Sequence, residues 1–140
     1  MRYFVLDTNI VLHYVRQSEL YKFVANKFRL LEPDVQLIIS IVTVAEMEVL
    51  AQRRNWGEGK RNLLNRFFQD EVFIVDINLG SPDLMDAYVE IDLFSAAQNM
   101  GKNDLWIAAT SKVTNATLVT TDNDFDHLTG RINIIKTAIN

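Results

Sequence analysis

The chain has 140 residues, 49% of them hydrophobic, the size of one ordinary domain with ample material for a continuous core, so a single domain over residues 1–140 is expected. There is no cysteine, which excludes disulfides, zinc-thiolate sites and cysteine nucleophiles and is compatible with a reducing cytosol. The formal net charge of −4 argues against an indiscriminate nucleic-acid coat protein, although bound divalent cations would offset it and leave Lys and Arg free to form a local phosphate-binding surface.

Met1-Arg2 is followed by only four apolar residues before Asp7, too few for a signal peptide, and no later apolar run is long enough to span a bilayer. A soluble, cytoplasmic protein with no membrane partner is expected. Tyr3 to Leu6 reads as the first strand. Leu20, Phe23, Val24, Phe28 and Leu31 then recur at helical spacing, Gln36 to Ser40 reads as the second strand, and a helix begins near Thr43. The most linker-like stretch, Asn55-Trp56-Gly57-Glu58-Gly59, separates two helices rather than two domains. Val72 to Val75 is the third strand candidate. Leu84, Tyr88, Ile91 and Phe94 mark a helix that Ser81 can cap, with Pro82 in its first position and Gly101 just past its end. Thr117 to Thr120 and Ile132 to Ile135 complete the strands. Short apolar runs alternating with longer helical patterns predict an α/β fold, a three-layer α/β/α sandwich with a mostly parallel central sheet.

Four acidic residues stand at the ends or edges of these apolar segments, where packing does not ask for them: Asp7, Glu46, Asp104 and Asp122. Asp7 and Asp122 each follow a predicted strand, at the carboxyl edge where open α/β sheets bind ligands. Each has a plainer use. Asp7 can cap a helix beginning near Asn9, Asn103 or Asp104 can cap the next one, Thr43-x-x-Glu46 fits a capping box, and Asp122 fits a turn. Independent caps would be scattered around the sheet, whereas these positions all fall at one edge. Carboxylates that close repel one another and raise each other's pKa unless a hard, oxygen-seeking cation such as Mg²⁺ or Mn²⁺ lies between them.

Val5-Leu6-Asp7-Thr8-Asn9, Ile41-Val42-Thr43-Val44-Ala45-Glu46, Asn103-Asp104-Leu105-Trp106-Ile107-Ala108-Ala109-Thr110 and Leu118-Val119-Thr120-Thr121-Asp122-Asn123-Asp124-Phe125 occur in that order. In this succession the chain resembles PIN-domain ribonucleases, and among them the single-domain VapC toxins of type II toxin-antitoxin pairs. The resemblance runs from about residue 3 to the last strand candidate. It implies that Asp7, Glu46, Asp104 and Asp122 are a catalytic, metal-binding quartet, with Asn9 and Thr120 supporting the first and last carboxylates. Asp124 assists through water or, as the preferred reading, shapes the turn before Phe125. The resemblance further implies a Mg²⁺- or Mn²⁺-dependent endoribonuclease that leaves 5'-phosphate and 3'-hydroxyl ends, restrained by a VapB-like antitoxin. A homodimer is the expected assembly.

The chemistry is consistent with that implication. Phosphodiester hydrolysis needs a nucleophilic water near neutral pH, and a bound divalent metal lowers the pKa of its water. His13 and His127 lack the spacing of a helix-borne zinc site and read as surface or structural residues. Arg53, Arg54, Lys60, Arg61 and Arg66 cluster around Trp56 and the neighbouring glycines, a combination suited to gripping an RNA backbone and stacking an unpaired base. A solvated helical face competes with that reading, and for Trp56 so does a protein interface. Phosphotransfer through an aspartyl phosphate, as in haloacid-dehalogenase-like phosphatases, would need a second Asp where Asn9 stands. The remaining alternative is a non-catalytic PIN-fold module whose acidic groove binds a basic partner segment.

Overall fold

The structure, a computed structural model, describes residues 1–138. The strands are β1 (Arg2–Leu6), β2 (Val35–Ser40), β3 (Val72–Val75), β4 (Thr117–Thr120) and β5 (Ile134–Lys136). They form one sheet in the order β3-β2-β1-β4-β5, and every pairing is parallel. Successive side chains alternate between faces, so Phe4, Leu6, Leu37, Ile39 and Val119 enter one core while Val5, Ile38 and Leu118 enter the other. Helices α1 (Thr8–Val15), α2 (Glu19–Lys27), α3 (Ile41–Arg53) and α4 (Glu58–Arg66) pack into the first core. Helices α5 (Pro82–Phe94) and α6 (Lys102–Thr114), with the 3-10 turn Asn123–Leu128, close the second. Burial on both faces explains why the strands read as apolar runs rather than alternating ones. Among the described residues no helix is long and apolar enough to cross a membrane.

Several local expectations shift. The apolar pattern that began at Leu20 ends as a helix at Lys27, because Arg29 turns the chain through a left-handed conformation; Leu31 is left exposed and Leu30 takes the buried position. Helix α3 begins at Ile41 rather than near Thr43. Ser40 is both the last residue of β2 and the N-cap, its Oγ accepting from the Val42 N–H at 3.2 Å, so Thr43 is freed from capping. Ser81 makes no side-chain cap on α5, although Pro82 is the first helical residue as expected. Gly101 does not end that helix. The chain leaves α5 after Phe94, and Gly101 is the N-cap of α6, which places Asn103 and Asp104 inside the first turn rather than at the cap. The last strand starts at Ile134, since Ile132 pairs instead with Thr129 ahead of it.

Strand β1 hands the chain to α1 on the first face, and β4 hands it to the 3-10 turn on the second. Connections that depart to opposite faces open a crevice between the carboxyl ends of the two strands. The β1–β4 pair is that point in this sheet.

Candidate metal centre

Asp7 leaves β1 at this crevice and is only 3% exposed. It caps α1: Oδ1 accepts from the Thr8 N–H at 2.7 Å, satisfying one of the helix's orphan donors. Its Oδ2 accepts from the Thr120 hydroxyl of β4, also at 2.7 Å. Thr120 is fully buried, and its Oγ1 also accepts from the Asp122 N–H at 2.9 Å, so one hydroxyl ties the two strand ends together. Asp122 then caps the 3-10 turn through the Asp124 N–H at 3.0 Å. The capping reading of Asp7 is therefore correct, Asp122 shapes its turn by capping it, and neither use competes with a site. Each cap leaves lone pairs on the same carboxylate free to face the cleft.

Glu46 lies on α3, one turn beyond Thr43. Thr8 Oγ1 donates to Glu46 Oε1 at 2.7 Å, and since its proton goes there, the Thr43 hydroxyl 3.1 Å away is the donor to Thr8. Thr8 thus steers two carboxylates, one through its backbone N–H and one through its hydroxyl. Thr8 was not among the expected site residues, although a hydroxyl beside Asp7 and another one helical turn before Glu46 were the available signal. Asp104 stands in the first turn of α6. The N-termini of α1 and α6 both reach the cleft, and their unpaired N–H groups favour negative charge there.

The cleft between these elements has a volume of about 490 Å³ and is lined by Asp7, Thr8, Asn9, Glu46, Asp104 and Asp122, among others. Burial and crowding show in the acidities of Asp7 and Asp104. Asp7 is pushed up to about 6, chiefly by burial and further by Asp122 and Glu46, against the lowering effect of its two hydrogen bonds. Asp104 is pushed up to about 7 by partial burial and then by Asp7, Asp122, Asp124 and Glu46. Asp7 and Asp104 resist ionisation in a cleft whose carboxylates offer oxygen donors, an arrangement that suits a hard cation. Asp104, Asp122 and Asp124 offer oxygens that all lie within 4.8 Å of one another, and they form a group able to hold a metal ion. Asp7 and Glu46 face the same cleft outside that trio. Asp124, expected mainly to shape the turn, does so through its N–H while its carboxylate joins the trio.

The sequence pattern of the PIN domain family matches residues 4–130. The chain belongs to the PIN domain family. No curated protein gives a significant sequence match. Among solved structures, the chain is similar to VapBC2 from Rickettsia felis bound to a promoter DNA fragment, with a TM-score of 0.78 and 23% identity over 96% of this chain and 98% of that one. It is similar to VapBC-1 from nontypeable Haemophilus influenzae, with a TM-score of 0.73 and 24% identity over 96% and 97% of the two chains. It is also similar to FitAcB from Neisseria gonorrhoeae, at 0.67 and 24% over 95% and 96%. These PIN-fold likenesses cover nearly the whole chain.

The basic cluster of this PIN domain is divided by the fold. Arg53 lines the cleft. Arg61 is held by Trp56 O at 3.3 Å and Glu48 Oε1 at 3.4 Å, while Arg54 and Arg66 are exposed beyond α3 and at the end of α4. Trp56 is not a platform for a base: it is 8% exposed and packs in the first core, with Lys60 Nζ 5.5 Å from its ring centre. The reason is local. Asn55 takes the left-handed conformation at φ 48°, its N–H bonds to Gln52 O and the Trp56 N–H to Ala51 O, a helix-ending motif that turns the next residue onto the helix's apolar side. The histidines lie apart from the cleft. His13 Nδ1 meets Ser18 Oγ at 2.9 Å and His127 Nε2 meets Ser95 Oγ at 2.7 Å.

Proposed function

We propose that this PIN domain is a Mg²⁺- or Mn²⁺-dependent endoribonuclease and the toxin of a type II pair, held inactive by a VapB-like antitoxin. The observation that carries the reading is the gathering of Asp7, Glu46, Asp104 and Asp122 around one cleft at the β1–β4 crevice, with Asp7 and Asp104 strained toward neutrality. Asp104, Asp122 and Asp124 are the residues that would hold the cation most directly, with Asp7 and Glu46 completing the acidic wall. A divalent cation, when bound, supplies a water of lowered pKa and offsets charge on the leaving oxygen. The protein's part is orientation. Thr8 and Thr120 fix Asp7, Thr8 fixes Glu46 with Thr43 behind it, and Asn9, expected to support Asp7, lines the cleft without a hydrogen bond to it among the described residues. The antitoxin is carried over from the VapBC and FitAcB complexes that share the fold, and an arginine suits the task of entering an acidic cleft because its planar fork engages a carboxylate bidentately. A homodimer belongs to the same proposal and is read directly by light scattering.

The test is cleavage of single-stranded and structured RNA by the purified protein, with Mg²⁺, with Mn²⁺ and with chelator, alongside Asp104→Asn. Metal-dependent cutting by the wild type and none by Asp104→Asn is expected, with 5'-phosphate ends on the products. Neither cutting nor metal binding would return the protein to the reading of a binding module, which has no need to hold a cation.

A further inference from the structure

The cleft has two unlike walls. One is acidic; the other is α3, which presents Glu46, Val49, Leu50 and Arg53 to the same space. Spaced by three, four and seven residues from Glu46, these side chains form one stripe along the helix, and Arg53 stands about 10 Å from Glu46 along the axis. Val49 is 47% exposed and belongs to neither core, while Leu50 is only partly used by the first. Arg53 is exposed and makes no ion pair among the described residues, unlike Arg61 on Glu48. Packing explains neither an apolar shelf beside a carboxylate nor a free guanidinium at its far end.

We propose that Val49, Leu50 and Arg53 form a nucleotide subsite next to the scissile phosphate, in which a base or ribose of a single RNA strand lies on the Val49–Leu50 shelf and Arg53 grips the phosphate beyond it. This rests on the ribonuclease reading and deepens it, since it states where the protein holds the strand. The acidic wall repels a polyanion wherever a cation does not intervene, so the strand needs a second, protein-borne positive charge to stay in the cleft. Arg53 is the cation in the cleft lining, and its planar fork matches phosphate. The shelf between has the chemistry of a base-binding surface, because a nucleobase face packs on apolar as well as aromatic side chains. Arg53 and Val49 are therefore positioning residues, acting on grip and register rather than on the reacting atoms.

The intact protein and a short fluorescein-labelled single-stranded RNA test this. In steady-state cleavage with Mg²⁺, Arg53→Gln is expected to raise KM about tenfold with kcat nearly unchanged, the size of one lost charge-assisted contact. Its salt dependence should flatten by about 0.7 in slope, one phosphate's worth on a single strand. Val49→Ala should raise KM about threefold, leave the salt slope alone and weaken discrimination among bases at one position beside the cut. Both side chains are exposed, so the fold is spared. The same RNA is titrated by anisotropy into Asp104→Asn and into Asp104→Asn/Arg53→Gln. If the wild type cuts nothing but Arg53→Gln still loosens binding in this background, the ribonuclease reading falls and the strand-holding role survives. If the wild type cuts RNA while KM, binding and salt slope are unmoved by Arg53→Gln, the subsite is overturned. A fall in kcat at constant KM overturns it too, by placing Arg53 in the chemistry. So does an Arg53→Gln effect confined to binding of a co-purified protein partner.

Discussion

The Thr120 hydroxyl donates to Asp7 Oδ2 at 2.7 Å, joining residues 113 positions apart, and the same oxygen accepts from the Asp122 N–H at 2.9 Å. One side chain thus holds the carboxylate of Asp7 and the backbone of Asp122, tying the two sides of the crevice together. Thr120→Val keeps the shape and deletes the hydroxyl. The expected outcome is a loss of about 1–3 kcal/mol in urea unfolding, because a buried acceptor and an N–H both lose their partner. Mn²⁺ affinity by calorimetric titration should weaken by about 10–100-fold, and Thr120→Ser should recover most of it. Wild-type behaviour of the valine variant in both assays would leave Thr120 as simple core filling.

Crowded carboxylates also predict how the metal-free protein responds to pH. Asp7 and Asp104 are raised in the folded state to about 6 and about 7, whereas in the unfolded chain they sit near 3.8. Between those limits the folded state binds more protons than the unfolded one, so stability falls as pH rises from about 4 to about 7, and the full penalty remains above that. Melting of the wild type minus that of Asp104→Asn isolates the Asp104 share, because other groups such as His13 cancel. The difference should favour the variant increasingly from pH 5 to pH 8, and Mg²⁺ should narrow it by binding the wild type. A difference that is flat with pH would mean that Asp104 ionises without resistance.

Trp56 gives a prediction of the opposite kind. With 8% exposure and a place in the first core, Trp56→Ala should cost about 3–5 kcal/mol. RNA affinity per folded molecule should not change. Weakened RNA binding at intact stability would restore the base-stacking role.

The biological part of the proposal predicts that expression of the chain alone slows growth of its host and that Asp7→Asn abolishes the effect. Co-expression of a protein encoded beside it should abolish it too, with the two co-purifying. Equal harmlessness of wild type and Asp7→Asn at matched soluble levels would remove the toxin assignment while leaving the cleavage assay to decide the enzyme.

The carboxylates were legible in the sequence because each interrupts or ends an apolar run, and a parallel sheet sends such ends to one edge. What was not legible was whatever depends on a single turn. Ser40 doing duty as strand end and helix cap moved α3 two residues back, and the left-handed Asn55 carried Trp56 inward, where the surrounding Arg and Lys suggested a base-stacking ring. Thr8 escaped because its role lies in pairing with residues distant in the chain, Glu46 and Thr43, which only the packed sheet brings within 3.1 Å. Nothing in the sequence sets Val49 and Leu50 apart from the other apolar residues of α3. Which of a helix's apolar residues remain uncovered is settled by the neighbouring elements, not by spacing.

The sheet order fixes when in the chain's synthesis the centre can exist. β1 is the first strand to leave the ribosome, yet its partner on one side is β4, and Asp7 waits for Thr120, 113 residues later. At about 5–20 residues per second that interval is roughly 6–23 s, during which β1 has an open edge and no crevice beside it. A nascent chain therefore carries Asp7, Glu46 and Asp104 as separate charges on an unfinished sheet. The acidic cleft closes only when β4 slots in beside β1, so a ribosome making this protein is not exposed to a finished centre before Thr120 has emerged.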